Sequence, residues 1–215
     1  LKEIKGIKAI TVPANKISNS KWSKKSWEVL NGKKINGTGS GFFEYKIQIP
    51  YDLKISNLKE AYFIIEASAK QLFDKDKEGL DYVDAGMDWM KGSIVSPSKN
   101  PNSYPMTDEN LFPSKINISF NDVNVKSVTL SDDPADHRGV LSWHNQIKSK
   151  NPTLSEAGSY GYLIKIPIDN QKLIDSKKNG ELKIKIHTND DGGIAIYGKS
   201  FSRFPFDPSL VLISN

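Results

Sequence analysis

Short runs of alternating apolar and polar residues recur along the chain, and this period of two is typical of β-strands with one buried face. The clearest run covers residues 41–49, and Pro50 ends it. A second alternating run covers residues 181–187, whereas residues 61–69 are apolar on both sides, as in a strand covered on both faces. In the two alternating runs, the residues predicted to face the core are Phe43, Tyr45, Ile47, Ile49, Leu182, Ile184 and Ile186.

Residues 115–130 have the pattern of a β-hairpin with Asn121 and Asp122 in its turn. The apolar spacing changes after Val125, which predicts a bulge in the second strand of the hairpin. Residues 169–178 are expected to hold a single helical turn. Further strands are predicted at residues 7–12, 27–30, 160–168, 193–198 and 210–213.

Roughly eight or nine strands, with turn residues between them and no helix of useful length, predict an all-β protein. We expect one antiparallel β-sandwich of jelly-roll type over residues 1–215, with Trp22 and Trp27 in its core. Residues 71–115 break the alternation because they are rich in Asp, Gly, Pro, Ser and Asn, with at most a short strand near Ile94. This stretch also carries large apolar residues, so we interpret it as a loop-rich insertion packed onto the sandwich.

Charge and composition exclude several classes of function. The chain has 30 basic and 25 acidic residues and a formal charge of +5, but its lysines are scattered and its only arginines are Arg138 and Arg203. Nucleic-acid readers gather their basic residues on one face, so we do not predict nucleic-acid binding. No run approaches the ~20 apolar residues of a membrane helix. Cysteine is absent, which excludes disulfides and thiolate metal sites.

The connection at residues 132–162 holds the highest density of side chains suited to binding a polar ligand. Long connections within a compact domain tend to be functional. Sugar recognition needs aromatic faces for the pyranose ring and planar polar groups for its hydroxyls, and this stretch supplies both. In the alternative interpretation, Trp143 is buried and Arg138 pairs internally with a nearby aspartate. The predicted sugar-binding residues are Asp136, His137, Arg138, Trp143, His144 and Asn145, with Trp89 and Arg203 from other segments.

Asp190 and Asp191 form a second polar cluster at a glycine-rich bend. Adjacent carboxylates can bind sugar hydroxyls or a hard cation such as a structural calcium, and we include both residues in the predicted binding site. The alternative is an Asx-type turn with solvated acids. A zinc site is not predicted, because the spacing of His137, His144 and His187 is not that of zinc ligands.

Catalytic motifs are missing from the sequence. There is no G-x-S-x-G elbow, P-loop or H-E-x-x-H motif. Glycosidases require two opposed carboxylates, and no pair of acidic residues stands out as such. A polysaccharide lyase or hydrolase, with Tyr160, His144 and Arg138 as the lyase constellation, remains an alternative to a non-catalytic binding domain.

Three segments together resemble a known family. They are DHRGVLSWHNQ at residues 136–146, EAGSYGYLIKIPI at residues 156–168 and DDGGIAIYGKSFSRFPFDPSLVL at residues 190–212. They resemble the sugar-binding-type accessory β-sandwich of large family 2 glycoside hydrolases, the β-galactosidase-like enzymes of polysaccharide-degrading bacteria. The earlier segments FEYKIQIP and EASAKQLFDKD resemble the opening strands of the same domain, so the resemblance covers most of the chain from about Ser40 onward.

The resemblance implies a galactose-binding-like jelly roll that acts as a carbohydrate-binding module. The partners expected from it are a polysaccharide or oligosaccharide and an adjacent TIM-barrel catalytic domain of the same polypeptide, which would hold the catalytic residues. We therefore expect a non-catalytic segment of a larger, extracytoplasmic glycoside hydrolase. A ligand-free domain that braces the catalytic domain is the alternative. The basic charge favours a sulfated or uronic-acid polymer over a neutral one.

Overall fold

The computed structural model describes residues 6–29, 31–72, 113–130, 161–199 and 204–214. The strands of these ranges are β1 (Ile7–Thr11), β2 (Asn19–Trp22), β3 (Lys25–Val29), β4 (Lys34–Thr38), β5 (Gly41–Gln48), β6 (Leu58–Ser68), β7 (Ser114–Phe120), β8 (Val123–Leu130), β9 (Tyr162–Pro167), β10 (Glu181–Thr188), β11 (Ile194–Tyr197) and β12 (Ser209–Ser214). A 3-10 turn, Ile55–Asn57, precedes β6, and the helix α1, Asn170–Lys178, connects β9 to β10.

The described strands form two antiparallel sheets. The five-stranded sheet has the order β2-β5-β10-β7-β8. The seven-stranded sheet has the order β1-β12-β6-β11-β4-β3, and β9 also pairs with β6. From β4 to β11 the chain crosses repeatedly between the two sheets, as expected for a jelly roll. The prediction of an all-β, antiparallel β-sandwich is therefore confirmed.

The core lies between the inner faces of the two sheets. Phe63 of the seven-stranded sheet meets Phe120 of the five-stranded sheet edge to face, with ring centroids 6.2 Å apart and planes at 88°. All seven core residues predicted from the two alternating runs are buried. Each large apolar side chain buried in this way contributes about 1.5–3 kcal/mol to folding.

The predicted hairpin forms between β7 and β8. Asn121 and Asp122 occupy its turn with positive φ angles of 47° and 67°. Ile118 pairs with Lys126 and Ser119 pairs with Asn124, which leaves Val125 as the extra residue of a bulge. The change of apolar spacing in the sequence thus marks the bulge correctly.

The helix and the number of strands differ from the prediction. α1 has nine residues rather than a single turn, so the expectation of no helix of useful length is wrong. A carboxylate oxygen of Asp169 caps the helix by accepting from the backbone N–H of Lys172 at 2.7 Å, and Leu173 anchors it in the core. The twelve strands of the described ranges exceed the predicted number, because β2 and β4 lack clear alternation.

The two tryptophans of the N-terminal region lie on different faces. Trp22 packs against Phe43, with ring centroids 4.8 Å apart, at the edge of the core. Trp27 instead lies on the outer face of the seven-stranded sheet, where the Nζ atoms of Lys25 and Lys70 are 4.9 and 5.7 Å from its ring. The expected core position is therefore correct for Trp22 and wrong for Trp27.

The predicted insertion at residues 71–115 falls mostly outside the described residues, as do Ile94 and Trp89. Its last two residues belong to β7, which begins at Ser114. The single-domain boundary at residues 1–215 stays a prediction. No helix in the described ranges has the length and apolar character needed to cross a bilayer.

We expect Phe63→Ala to lower the free energy of unfolding by about 3–5 kcal/mol, because it leaves a cavity where the two sheets meet. Urea denaturation of the variant and of Val123→Thr, at a position that is 57% exposed, would measure this loss. The Val123 variant is expected to change stability by less than about 0.5 kcal/mol. Equal effects of the two substitutions would contradict the described core.

We expect Gly37→Ala to disturb the packing of Trp22. A Cβ atom at Gly37 would lie 2.0 Å from Cε2 of the indole, so the ring must move. Overpacking of this kind costs about 1–3 kcal/mol, and near-ultraviolet circular dichroism should change with it. Ser26→Ala, at the exposed residue that pairs with Gly37, is the matched control. An unchanged spectrum and unchanged stability for Gly37→Ala would show that the indole is not held there.

Candidate functional site

Several connections meet around Gly192 at one end of the sandwich. The carbonyl of Gly192 accepts from the backbone N–H of Lys70 at 2.9 Å, and Gly192 forms an isolated bridge with Gly39. A Cβ atom at Gly192 would lie 2.5 Å from the carbonyl oxygen of Pro113. We call this end the Gly192 rim, formed by Lys24, Gly39, Lys70, Pro113 and residues 190–193. It joins connections from both sheets.

Of the predicted sugar-binding residues, the structure describes Asp190 and Asp191. Both lie on the Gly192 rim. The other predicted residues lie outside the described ranges, and their role stays a prediction; they are Trp89, Asp136, His137, Arg138, Trp143, His144, Asn145 and Arg203.

The two aspartates lie in an exposed turn. The hydroxyl of Thr188 accepts from the backbone N–H of Asp190 at 3.2 Å. A carboxylate oxygen of Asp191 is 3.1 Å from Nζ of Lys24, and this carboxylate is 74% exposed. The arrangement matches the alternative interpretation of a solvated polar turn.

The described residues give calcium no prepared site at this turn. Calcium takes six to eight oxygen ligands. The described ranges contain no group of three or more His, Cys, Asp or Glu side chains arranged to hold a metal ion. Asp191 is also engaged by a lysine. The predicted structural calcium remains a prediction.

A groove beside the Gly192 rim runs over the outer face of the five-stranded sheet. Its volume is about 300 Å³, at the lower end of the range for small-ligand sites. Three strands and their connections contribute to it: the lining residues are Lys21, Trp22, Ser23, Ser40, Gly41, Phe42, Lys185, His187, Thr188 and Asn189. We call it the β2–β10 groove.

The strand register brings these distant residues together. Phe42 pairs with Lys21 on one side and with His187 on the other. Since successive residues of a strand point to opposite faces, Phe43 and Ile186 enter the core and their neighbours point outward. Phe42 is thus a half-buried aromatic residue on an otherwise polar sheet face.

Phe42 gives the groove its apolar surface, whereas the indole of Trp22 points to the core side of β2, where it contacts Phe43. Trp22 lies against the backbone of Gly37 and Gly41, where the absence of a Cβ atom lets the indole approach closely. Phe42 lies between Lys21 and His187 in the strand register, and Nζ of Lys185 is 4.2 Å from its ring centroid. This contact is a cation–π interaction that holds an ammonium group beside the aromatic ring.

His187 supplies a neutral polar group. Burial, together with the positive charge of Lys185, lowers the pKa of its imidazole below the ordinary 6.5. The ring is therefore neutral at pH 7 and offers one donor and one acceptor nitrogen. Its Nδ1 atom is buried without a hydrogen-bond partner in the described part of the chain. Such an unpaired group costs about 1–3 kcal/mol.

A second polar cluster lies on the outer face of the seven-stranded sheet. Glu66 is fully buried there, and its carboxylate accepts from the backbone N–H of Phe204 at 3.0 Å. The hydroxyls of Ser68 and Tyr197 are 3.0 Å apart, and Nζ of Lys34 lies 4.6 Å from the Tyr197 ring. These residues bind one another, so the cluster contributes to the packing of this face.

Sequence reasoning missed the groove residues, although one signal was present. Residues 42, 44, 46 and 48 form the polar side of the β5 alternation, and Phe42 is the only apolar residue among them. The alternation therefore places one aromatic side chain on the outer face of β5. His187 was assigned correctly to the polar face of β10, beside Lys185.

No family model matches the sequence, and no curated protein matches it. Solved structures similar to this chain include CBM51 from Clostridium perfringens GH95 in complex with methyl-galactose, with a TM-score of 0.37 and 9% identity over 94% of this chain and 99% of that one. Carbohydrate-binding module CBM36 in complex with calcium and xylotriose gives a TM-score of 0.35 and 8% identity over 94% and 96% of the two chains. TmCBM61 in complex with β-1,4-galactotriose gives a TM-score of 0.31 and 9% identity over 99% of this chain and 85% of that one.

Proposed function

We propose that this domain is a non-catalytic carbohydrate-binding module and that the β2–β10 groove holds its ligand. The observation that carries the proposal is the position of Phe42, an aromatic residue on an otherwise polar sheet face that lines a groove of about 300 Å³. A pyranose ring presents an apolar C–H face and a rim of hydroxyls, and the groove offers a matching surface for each.

The polar residues around Phe42 suit hydroxyl recognition. Ser23, Ser40 and Asn189 line the groove together with the neutral imidazole of His187. These groups can both donate and accept hydrogen bonds, as a sugar hydroxyl requires. A shallow polar site of this size is expected to bind with about micromolar to millimolar affinity.

The proposal extends to the residues predicted from sequence. We propose that Arg138, Trp143 and His144 contact the same glycan. The support for this is that residues 131–160 follow directly after Leu130, which lies close to the Gly192 rim. Leu130 pairs with Ser114, and the adjacent Pro113 lies at the rim. A glycan longer than the groove would then have contacts beyond the groove.

On the sequence resemblance alone, we further propose which larger protein the domain belongs to and where that protein acts. It would belong to a larger family 2 glycoside hydrolase that acts outside the cytoplasm, with catalysis in a neighbouring domain. Calcium would be tested in the same binding experiments, by comparing buffers that contain calcium or a chelator.

We expect Phe42→Ala to weaken glycan binding about tenfold or more, because it removes the apolar surface on which the sugar ring packs. Titration calorimetry against algal and plant oligosaccharides would measure the loss. Gln48→Ala is the matched control, since Gln48 lies on the same strand and the same outer face but outside the groove. Thermal unfolding would confirm that both variants are folded.

Two outcomes would contradict the proposal in different ways. If Phe42→Ala binds like the parent while Trp143→Ala and Arg138→Ala lose binding, the ligand lies on the segment of residues 131–160 rather than in the groove. If no glycan binds to the parent, the domain is a structural brace and not a binding module.

A further inference from the structure

We propose that the sugar bound in the β2–β10 groove is acidic and that its carboxylate or sulfate group binds between Lys185 and Lys21, beside His187. This inference rests on the proposed carbohydrate binding and names the ligand class of the same groove. It concerns the lysines of the groove itself, not the overall charge of the chain.

The pairing of charges on the outer face of the five-stranded sheet carries the inference. Nζ of Lys46 is 2.8 Å from a carboxylate oxygen of Glu181, and Lys183 binds the carboxylate of Asp122. In the described part of the chain, by contrast, no carboxylate lies within ion-pair distance of Lys185 or Lys21. Among the described residues of this face, Lys46 and Lys183 thus have carboxylate partners, whereas Lys185 and Lys21 in the groove have none, and Lys115 outside the groove has none either.

The strand register places an acidic residue opposite Lys185, but that residue binds another group. Lys185 pairs across the strands with Glu44, which would be the natural partner for an ion pair. The carboxylate of Glu44 instead accepts from the hydroxyl of Ser18 at 3.1 Å. The ammonium of Lys185 lies over the Phe42 ring. The cross-strand acid is thus bound by another group, and the cation lies beside the ring on which a sugar would pack.

An anionic substituent fits this arrangement. A carboxylate or sulfate ester carries several acceptor oxygens and forms strong hydrogen bonds with ammonium groups. In the groove it would neutralise two positive charges that have no carboxylate partner among the described residues. A neutral sugar would leave both lysines uncompensated beside His187, so the same sugar ring should bind more tightly when it carries an acid.

The test compares matched ligands and matched variants. The ligands are a galacturonate trisaccharide with its carboxyl-reduced form and a sulfated galactan oligosaccharide with its desulfated form. The variants are Lys185→Gln and the control Lys115→Gln, which removes the same charge from an exposed position on the same sheet but outside the groove. Calorimetry at two salt concentrations gives the affinities.

We expect at least one acidic ligand to bind about tenfold more tightly than its neutral form, with a preference that weakens in high salt. Lys185→Gln should lower the affinity for the acidic ligand more than the affinity for its neutral form and so reduce this preference, whereas Lys115→Gln should retain the full preference. Equal or tighter binding of the neutral forms, with no effect of Lys185→Gln, would overturn the acidic ligand but leave carbohydrate binding intact. Absence of binding by every glycan would instead overturn the proposed function.

The pH dependence of binding is a second test. In the free domain, burial and then the positive charge of Lys185 lower the pKa of His187 below 6.5. The other charged residues near His187 are Lys21, which also lines the groove, Lys115, which is two residues from its cross-strand partner Asn117, and Asp190, which lies beyond the end of β10. A bound anion raises the pKa of the imidazole, so the complex takes up protons and affinity must rise as pH falls.

We therefore expect the sulfated oligosaccharide, which does not titrate in this range, to bind more tightly at about pH 5 than at about pH 7. His187→Gln should make its affinity independent of pH, and the desulfated form should show no increase with the parent. A parent affinity for the sulfated ligand that is flat or falls with acidification would contradict an anion beside His187.

Discussion

The pairing of β5 with β10 is the constraint on which both the core and the groove depend. Eight consecutive cross-strand pairs join the two strands, from Gly41 with Thr188 to Gln48 with Glu181. Because side chains alternate between faces, a shift of this register by one residue would exchange the apolar set with the polar set. Burial of Phe43 and Ile186 therefore determines that Phe42 and His187 point outward and lie side by side. The burial that stabilises the core therefore also fixes which residues lie together in the groove.

The Gly192 rim shows how close backbone packing limits the choice of residues. Gly193 has a positive φ of 61°, and a Cβ atom there would lie 2.2 Å from the carbonyl oxygen of Lys70. A larger residue would have to push β6 away from the turn after β10. The rim can bring connections of both sheets together because glycine occupies these positions. The exposed carboxylates of the turn are free of this constraint, since Asp191 points to Lys24 and to solvent.

The sequence predicts those parts of the fold that depend on residues adjacent in the chain. Alternation predicts β5 and β10, and a change of spacing predicts the bulge at Val125, because each depends on a few adjacent residues. The helix α1 was underestimated because its sequence is mostly polar and Leu173 is its main anchor. The groove could not be predicted as a site, because Lys21, Phe42 and His187 meet only through pairing between strands far apart in sequence. The predicted loop residues, by contrast, are neighbours in sequence and could be recognised as a cluster.

The unpaired lysines of the groove have a consequence for the evolution of the domain. Two lysines line the groove beside an uncharged imidazole, and no described carboxylate lies within ion-pair distance of either. If the groove binds an acidic glycan as proposed, a substitution that placed an acid within reach of Lys185 would occupy the position of the ligand's anionic group. Stabilising the free domain with such an ion pair would then weaken recognition by the same sheet face.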